Sequence, residues 1–507
     1  MRARVGAIRA IVRIQTPPTY DPKGQVVREG RLFGFDTGEV GSAANPSEDL
    51  LSVNVSKTLH EPCGRFALHF TPREPIKGYT WADLIPGYSL VEIWLQRHPD
   101  QQEPVLVMLG LSGAGSVNED FSQAAPQRQV TVAGRELSCI FVDQRTLYIP
   151  TPPQEESARP VVGAPAQLPA LFTPQAQALG MIAIDPELVF EGASPVDAID
   201  RFVRMVTTGL RTSYNPDGLP LLNLSLPDAR LESLLFFRAE KATAALFDPN
   251  ARLPAAAQNI RTGIPLWHLM STLSDPQYQE LFVVSRDLER SAERVGPQLS
   301  AAAVEIVFRK KPFAGRIDDN GAIVDQAVPN GSQFGPELLD VPAQTLHIES
   351  PDVRSRNLQR TVQDVVNLYY VEPQALSISS PDFRSIFTPI LDAGDNAPSS
   401  SQRFGLRLLE VRDYYLRLPR GDEVAKQNAF EVATARARLL WGWYRFNPLF
   451  YTGAIDTIGM PDAQVGTRLV ENEQREYYIT SVTHAVTWAR SPSLRTRLGV
   501  ERGWPLT

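Results

Sequence analysis

The sequence predicts a β-rich α+β fold, in which strand regions at both ends of the chain flank a largely helical middle. Apolar residues alternate with other types from Phe66 to Phe70, the period of two expected of a half-buried strand. The same period runs from Thr480 to Trp488 and from Leu494 to Val500, which predicts two paired antiparallel strands. Between these regions, from Ala193 to Ala303, the apolar residues follow a helical period.

Residues 1–150 are predicted to form a first domain of short antiparallel strands. Leu90 to Leu95 and Val105 to Leu109 are nearly continuous apolar runs, short enough to be core strands, and turn residues such as Pro86-Gly87 separate the runs. Several short strands with turns between them are typical of a barrel or sandwich, and we expect a strand barrel.

Residues 151–192 are predicted to be a linker or a surface excursion. Seven prolines fall between Pro150 and Pro174. Proline-rich chain prefers extended conformation, so this stretch is the clearest domain boundary in the sequence.

Residues 193–303 are predicted to form a largely helical domain. A Ser-Pro pair suited to the start of a helix precedes an apolar stripe from Val196 to Leu210. Two further helices are expected, over Asp228 to Phe247 and over Pro265 to Leu273.

Residues 304–507 are predicted to form a second β domain. Its strands are interrupted by loops rich in Gly, Pro, Asn and Asp, from Arg316 to Pro342 and from Pro389 to Gln402. One long helix is expected from Val424 to Tyr444, because its apolar residues share a face.

Composition excludes several classes of function. The chain has 507 residues and a formal net charge of -7, with 50 Lys and Arg against 57 Asp and Glu. Its longest basic cluster is Arg309 to Lys311, so a protein that grips nucleic acid through a basic surface is not expected. No apolar run approaches the roughly 18 residues of a membrane span, and the N-terminus lacks the apolar core of a signal peptide.

Cysteine and glycine patterns do not assign chemistry. Cys63 and Cys139 lie in segments interpreted as strand or strand end, and two cysteines are too few for a disulfide framework or a zinc site. The glycine-rich run from Gly110 to Ser116 lacks the Lys of a phosphate loop, and Ala114 replaces the second Gly of a nucleophile elbow. We therefore expect this run to be a flexible loop between strands.

The remaining candidates for chemistry are scattered. None of the six histidines has a neighbour at metal-ligand spacing: His60, His69, His98, His268, His347 and His484. His484 lies on the apolar face of a strand and is expected to be a core or interface residue. Asp318-Asp319 and Glu155-Glu156 are expected in solvated loops, and Arg420 to Asp422 in a turn. A glycosidase pair of carboxylates stays open, since one sequence cannot reveal it. No catalytic, cofactor-binding or metal residue is assigned, and we expect no enzyme and no cofactor.

Short blocks, taken in order along the chain, form a recognisable pattern. In the first domain the blocks are Ser52 to Ser56, Phe66 to Phe70, Trp81 to Gly87, Val91 to Trp94 and Val130 to Leu137. In the rest of the chain they are Pro265 to Leu269, Tyr278 to Phe282, Ile306 to Phe313, Asp364 to Asn367, Arg403 to Arg407, Gly459 to Gly466 and Tyr477 to His484. In this consistent order, the blocks resemble the central hub protein of contractile phage tail baseplates, a family related to the N-terminal part of type VI secretion spike proteins.

The resemblance implies two tube-like antiparallel β-barrel domains with a helical inserted domain. It implies a homotrimer that joins the sixfold tail tube to the threefold spike and forms part of the channel for DNA and the tape measure protein. The implied partners are the spike protein, a tail tube or distal tube protein, the tape measure protein and the surrounding baseplate proteins. DNA would pass without specific binding, and the protein would reside in the virion after assembly in the host cytoplasm.

Two other classes of function remain open from the sequence. One is a tail-associated cell-wall hydrolase, which would need a compact catalytic constellation. The other is a receptor-binding or sugar-binding tail module, which would need exposed aromatic rows. Trp441, Trp443 and Tyr444 lie in a helix that is expected to be packed instead.

Overall fold

The structure is a computed structural model of the chain. It describes the residue ranges 8–20, 26–37, 47–98, 102–120, 127–148, 181–184, 195–212, 234–239, 263–287, 302–314, 316–317, 323–324, 332–334, 345–374, 389–417, 423–488 and 493–506. The predicted Pro-rich stretch from Pro150 to Pro174 lies outside these ranges.

Strands dominate the described chain. They are β1 (Ile8–Gln15), β2 (Thr19–Tyr20), β3 (Val26–Arg28), β4 (Leu32–Asp36), β5 (Leu50–Thr58), β6 (Arg65–Phe70), β7 (Leu90–Arg97), β8 (Val105–Asp120), β9 (Gln127–Glu136), β10 (Arg145–Tyr148), β11 (Met181–Ile184), β12 (Leu235–Ala239), β13 (Gln279–Asp287), β14 (Ala302–Lys310), β15 (Arg316–Ile317), β16 (Ile323–Val324), β17 (Leu346–Ile348), β18 (Val353–Gln359), β19 (Leu368–Gln374), β20 (Ile390–Leu391), β21 (Leu408–Arg417), β22 (Tyr451–Thr457), β23 (Arg468–Glu471), β24 (Arg475–Thr487) and β25 (Ser493–Pro505).

The α-helices are fewer. They are α1 (Trp81–Leu84), α2 (Cys139–Asp143), α3 (Pro195–Thr212), α4 (Leu266–Leu273), α5 (Ser401–Phe404) and α6 (Glu423–Tyr444). The sequence prediction is confirmed for α3, α4 and α6. Within the ranges that the structure covers, no helix is both long and apolar enough to cross a membrane.

One sheet of 13 strands organises the fold, in the order β18-β22-β25-β24-β5-β6-β9-β8-β7-β1-β4, with β23 and β17 branching from β24. We call β1 and β4 to β9 (without β2 and β3) the N-terminal sheet half, and β17, β18 and β22 to β25 the C-terminal sheet half. Every pair is antiparallel except β17 with β23. The expected β-rich α+β class is confirmed, and its main sheet is large and mostly antiparallel.

The apolar run at β7 is explained by burial on both faces. Val91, Ile93 and Leu95 pack into one core with the other strands of the N-terminal sheet half. Leu90 and Trp94 alternate with them and pack into a second core, which holds α3, α4 and β14. A strand covered on both faces has no solvent side, so its sequence is almost continuously apolar, with the buried Glu92 as an exception.

The expected loop from Gly110 to Ser116 is wrong, because these residues continue strand β8. The strand pairs with β9 on both sides of a register shift between Ser112 and Gly115. A Cβ atom at Gly110 would lie 2.3 Å from the carbonyl oxygen of Arg135, and one at Gly115 would lie 2.8 Å from Ala82. The glycines therefore permit close backbone approach within a bulged strand, where the sequence pattern indicated a flexible loop.

The expected helix from Asp228 to Phe247 is also wrong where the structure describes it. Leu235–Ala239 forms β12, which pairs in parallel with β14, and β14 in turn pairs with β13. A short apolar run can be a buried strand or part of a buried helix, and periodicity does not distinguish them.

The C-terminal sheet half packs on α6. The buried Trp443, Leu440 and Ala437 of this helix share a core with Tyr477 and Leu498 of the sheet. A smaller sheet, β20-β19-β21, lies against the same helix and places Tyr369 and Val371 in that core. The prediction that Trp443 lies in a packed helix is confirmed.

Candidate functional site at the seam between the sheet halves

The two sheet halves meet where β5 pairs with β24. Seven residue pairs form this antiparallel seam, from Ser52 opposite Thr487 to Thr58 opposite Ser481. The paired segments lie more than 400 residues apart in the sequence. The strand alternation predicted for β24 is confirmed, since Val482, His484 and Val486 are buried. The seam joins strands from the two ends of the chain into one sheet.

A buried ion pair fastens the seam to the middle of the chain. The Lys57 ammonium on β5 contacts the Glu136 carboxylate at the end of β9, and it also donates to the Ser285 hydroxyl on β13 at 2.8 Å. The Ser285 hydroxyl donates to the same carboxylate at 3.0 Å, and the Gly64 backbone N–H donates to its other oxygen at 3.0 Å. Glu136 is 1% exposed, and a charge so deeply buried requires a complete set of partners.

His484 lies beside this ion pair. Its Nδ1 is 3.0 Å from the Thr496 hydroxyl, and the ring lines a small cavity of about 20 Å³ together with Lys57 and Ser285. Burial, and then the neighbouring Lys57 charge, lower the pKa of His484 to about 3. The imidazole is therefore neutral at physiological pH, and its pKa is far below that of an efficient general base. The prediction of a core residue is confirmed.

Neutral burial of His484 makes the stability of the protein depend on pH. The unfolded chain takes up a proton near pH 6.5, whereas the folded chain does so only near pH 3. We therefore expect the free energy of unfolding to fall as pH decreases from 6.5, by about 1.4 kcal/mol per pH unit from this residue, or about 2 kcal/mol at pH 5. Denaturant titrations at pH 7 and pH 5 measure the slope.

His484→Asn removes the titrating group and should flatten this pH dependence. His347→Asn is the matched control, because His347 is exposed, with its Nδ1 2.8 Å from the Glu473 carboxylate. A slope that is the same in both variants and in the parent would contradict the assignment.

A second polar cluster surrounds Arg309, whose side chain is only 1% exposed. Its guanidinium donates to the Glu280 carboxylate at 3.1 and 3.2 Å and to the backbone oxygen of Gly466 at 2.7 Å. The Tyr478 hydroxyl donates to Glu280 at 2.7 Å, and burial together with this carboxylate raises the pKa of Tyr478 well above its ordinary value. The cluster ties β13 and β14 to the C-terminal sheet half. Its arginine belongs to the longest basic run in the sequence, so that run is largely internal.

A cleft of about 360 Å³ opens beside the Arg309 cluster. Its cations already have protein acceptors: Lys311 donates to the Tyr444 hydroxyl at 3.0 Å, and Arg502 donates to Gln333 at 2.9 Å and to the Trp443 carbonyl at 2.8 Å. These contacts hold the walls of the cleft together. In the part of the chain that the structure describes, no three His, Cys, Asp or Glu side chains gather where they could hold a metal ion.

The other sequence candidates stay apart. Cys63 and Cys139 are free and buried, and burial raises the pKa of Cys63 to about 11 and that of Cys139 to about 12, so both are neutral thiols. Cys139 begins the short helix α2, where strand end was expected. The carboxylate pairs Asp318-Asp319 and Glu155-Glu156 and the triplet from Arg420 to Asp422 lie outside the described residues.

Sequence reasoning missed the two ion-pair clusters. Lys57, Glu136 and Ser285 are separated by 79 and 149 residues, so their contact has no local signature. Glu280 and Arg309 are both buried within strands, and Arg309 carries one usable signal, since it directly follows the apolar run from Ile306 to Phe308. A charge within a core strand indicates a buried partner.

Comparison with known proteins finds similarity to solved structures, but not to family models or curated sequences. No family model matches the chain, and no curated protein sequence matches it significantly. The chain is similar to a tail protein from Neisseria meningitidis, with 10% identity, a TM-score of 0.42 and coverage of 98% of this chain and 96% of that one. It is similar to the 43 kDa tail protein of prophage MuSo2 from Shewanella oneidensis, with 9% identity, a TM-score of 0.42 and coverage of 97% and 98%.

A third similar structure is the Francisella PdpA-VgrG complex, with 7% identity and a TM-score of 0.41. The matched region covers 98% of this chain and 53% of the other. The proteins found in this way are phage tail proteins and type VI secretion proteins.

Proposed function

We propose that this protein is a structural component of a phage tail, the central hub of a baseplate, and that it acts by geometry without catalysis. The observation that supports this most directly is the seam, where strands from the two ends of one chain stand side by side in one antiparallel sheet. A chain that carries two adjacent β units offers six such units in a trimer. Arranged in a ring, the six units of the trimer would match a sixfold tube on one side and a threefold spike on the other.

In this proposal, residues 1–150 and 304–507 carry the two tube-like barrels, and residues 193–303 carry the helical insert. Residues 151–192 link the first barrel to the helical insert. The described sheet runs as an open path from β18 to β4. Open sheet edges expose unpaired backbone groups, which proteins cover to prevent aggregation. Assembly of three copies into a closed ring would cover them.

The proposed partners are the spike protein, a tail tube or distal tube protein, the tape measure protein and the surrounding baseplate proteins. The proposed location is the virion tail, after assembly in the host cytoplasm. The net charge of -7 favours a channel that repels phosphate, so that DNA slides through it without specific binding.

The decisive experiment is the mass and shape of the purified chain, alone and with spike protein. We expect a mass of three chains by light scattering and class averages with a threefold ring around an open channel. A chain that stays monomeric at high concentration and in the presence of spike protein would refute the proposal. A zymogram on host peptidoglycan is a second check, and clearing by the chain would show an activity that a purely structural hub lacks.

A further inference from the structure

The cleft beside the Arg309 cluster has the size and the lining of a small-ligand site. Its volume is about 360 Å³, and small-ligand sites are usually clefts of about 300–1,000 Å³ with a mainly apolar lining and a few polar groups. Part of its wall is apolar and consists of the buried side chains of Leu59, Phe313 and Phe450. Two cations also line this cleft, and their partners decide what it can bind.

Arg502 is a buried cation whose hydrogen-bond acceptors are all neutral. It is 8% exposed, and its guanidinium donates to the Gln333 side-chain oxygen at 2.9 Å and to the Trp443 carbonyl at 2.8 Å. Within the described chain, no carboxylate lies at ion-pair distance from it. Burial lowers the pKa of Arg502 to about 10, although nearby acidic groups such as Glu501 act in the opposite direction. A buried charge normally has a counter-charge, so this site favours an added anion.

The geometry of the Arg502 guanidinium leaves donors for a carboxylate. Its central carbon lies 3.8 Å from the ring centroid of Phe313 and 4.5 Å from that of Phe450, so cation–π contacts hold the group. A guanidinium has five N–H donors, and the two protein acceptors use two of them, which leaves three. All five lie in the plane of the group, where a carboxylate accepts two parallel hydrogen bonds.

The backbone at Arg502 is unusual for an ordinary strand residue. The register of β25 against β24 shifts here, so that Arg502 and Gly503 both lie opposite Tyr477, which is a β-bulge. The φ of Arg502 is +56°, a left-handed value that glycine usually takes at the first position of one bulge type. Bulges next to active sites redirect side chains, and strained residues held by their surroundings cluster at ligand sites. This strain supports a binding role for Arg502.

Lys311 is the second cation of the cleft. Its ammonium donates to the neutral Tyr444 hydroxyl at 3.0 Å, and no carboxylate of the described chain is at ion-pair distance from it. The two cations therefore bond consecutive residues, Trp443 and Tyr444, at the C-terminal end of α6. The end of a helix carries only about half a negative charge, so two full positive charges exceed it. We call this part of the cleft, at Arg502 and Lys311, its floor.

Negative charge lies at the exposed side of the same cleft. Asp364, Glu501 and the His60 imidazole line it and are exposed, and we call this side its mouth. The third carboxylate of the cleft, Glu280, already accepts from Arg309 at 3.1 and 3.2 Å. The cleft thus has two cations without a counter-ion at its floor and two carboxylates at its mouth.

We propose that this cleft binds a small zwitterionic ligand, whose carboxylate accepts hydrogen bonds from Arg502 and Lys311 and whose positive group faces Asp364 and Glu501. A free amino acid and the carboxyl-terminal end of a peptide share this chemistry. A phosphate ion fits less well, because it brings only negative charge past the carboxylates of the mouth. A ligand at this site goes beyond the proposed hub role and does not depend on it.

Calorimetric titration of the full chain with the tripeptide alanyl-alanyl-lysine tests the floor of the cleft. We expect saturable binding of the peptide with a free carboxylate, and binding weaker by about tenfold or more when the same peptide is amidated, since hydrogen bonds to a charged group are lost. Inorganic phosphate should bind more weakly than the free peptide. Equal affinity for the free and the amidated peptide, or tighter binding of phosphate, would overturn the proposal.

Free lysine distinguishes the two sources of this chemistry. Tighter binding of lysine than of the tripeptide identifies a free amino acid as the ligand, and the reverse order identifies the end of a peptide chain. If neither binds, the proposed site is wrong, while the hub role, which needs no ligand in this cleft, is unaffected. A chain that binds the tripeptide but stays monomeric with spike protein would keep the site and refute the hub.

Variants of the lining residues locate the bound peptide. Lys311→Met and Arg502→Gln should each weaken its binding by about tenfold or more. Arg502→Gln also removes a contact to α6, so Lys311→Met is the decisive variant. Asp364→Asn should weaken binding of the peptide but not of phosphate. Lys77→Met is the matched control, because Lys77 is exposed and lies outside the cleft. Equal affinities in Lys311→Met and Lys77→Met would show that the site is wrong.

Discussion

Arg309→Met should destabilise the protein by about 3–5 kcal/mol, because it leaves the Glu280 carboxylate buried without its cation. Glu280 is 8% exposed and receives two of the hydrogen bonds that the guanidinium donates. The change also removes the donor to the Gly466 carbonyl. Chemical denaturation at pH 7 measures the loss.

Two further variants separate the lost ion pair from lost packing. The double variant with Arg309→Met and Glu280→Leu should recover most of the loss, since apolar replacement of a whole buried pair is often neutral. Arg495→Gln is the matched control: its guanidinium bonds Asp456 at 2.7 Å but is 50% exposed, so about 0–1 kcal/mol is expected. Equal losses in the Arg309 and Arg495 variants would contradict the role assigned to burial.

Glu136→Leu should lower the free energy of unfolding by about 3–5 kcal/mol, because it removes one partner of the buried ion pair at the seam. The Lys57 ammonium loses its carboxylate, and the Ser285 hydroxyl and the Gly64 N–H lose their acceptor. Because this carboxylate joins β5, β9 and β13, amide hydrogen exchange should accelerate on all three strands. Exchange measured with and without the substitution tests this.

Pairing Glu136→Leu with Lys57→Met should restore much of the stability, because no buried charge then remains. Glu61→Gln serves as the control for removing a carboxylate at the surface, since the Glu61–Arg65 pair is 3.8 Å apart and largely exposed. If exchange accelerates on β9 alone, the ion pair does not fasten the seam.

The local sequence pattern was sufficient to predict buried residues where one face of an element is buried and the other is exposed to solvent. Alternation in β24 and β25 predicted Val482, His484, Leu494 and Leu498 as buried, and all four are. The helical stripe of α6 was equally readable, with Ala437 and Leu440 in the core. In such elements the spacing of the apolar residues indicates which face is buried.

Local pattern failed where the reason for a residue lies in another part of the chain. Gly110 permits the close approach of the Arg135 carbonyl, so glycine there reflects a strand and not a flexible loop. Leu235–Ala239 is a strand because β14 supplies its partner. A sequence window does not contain the partner, and propensity alone does not replace it.

The candidate site was predicted only in part for the same reason. His484 was expected in the core or an interface, because an apolar strand face surrounds it in sequence. The pairing of Lys57 with Glu136 and of Arg309 with Glu280 was not foreseen, since a buried charge finds its partner in three dimensions.

The sequence by itself determined the β-rich class, the helices α3, α4 and α6, and the period of the terminal strands. These features follow from which residues are buried away from water. It also indicated a protein without a phosphate loop or a nucleophile elbow. Only the tertiary structure decided that the two ends of the chain meet at one seam and that the longest basic run is largely internal. Those features depend on contacts between residues distant in the chain, and short-range periodicity carries no information about such contacts.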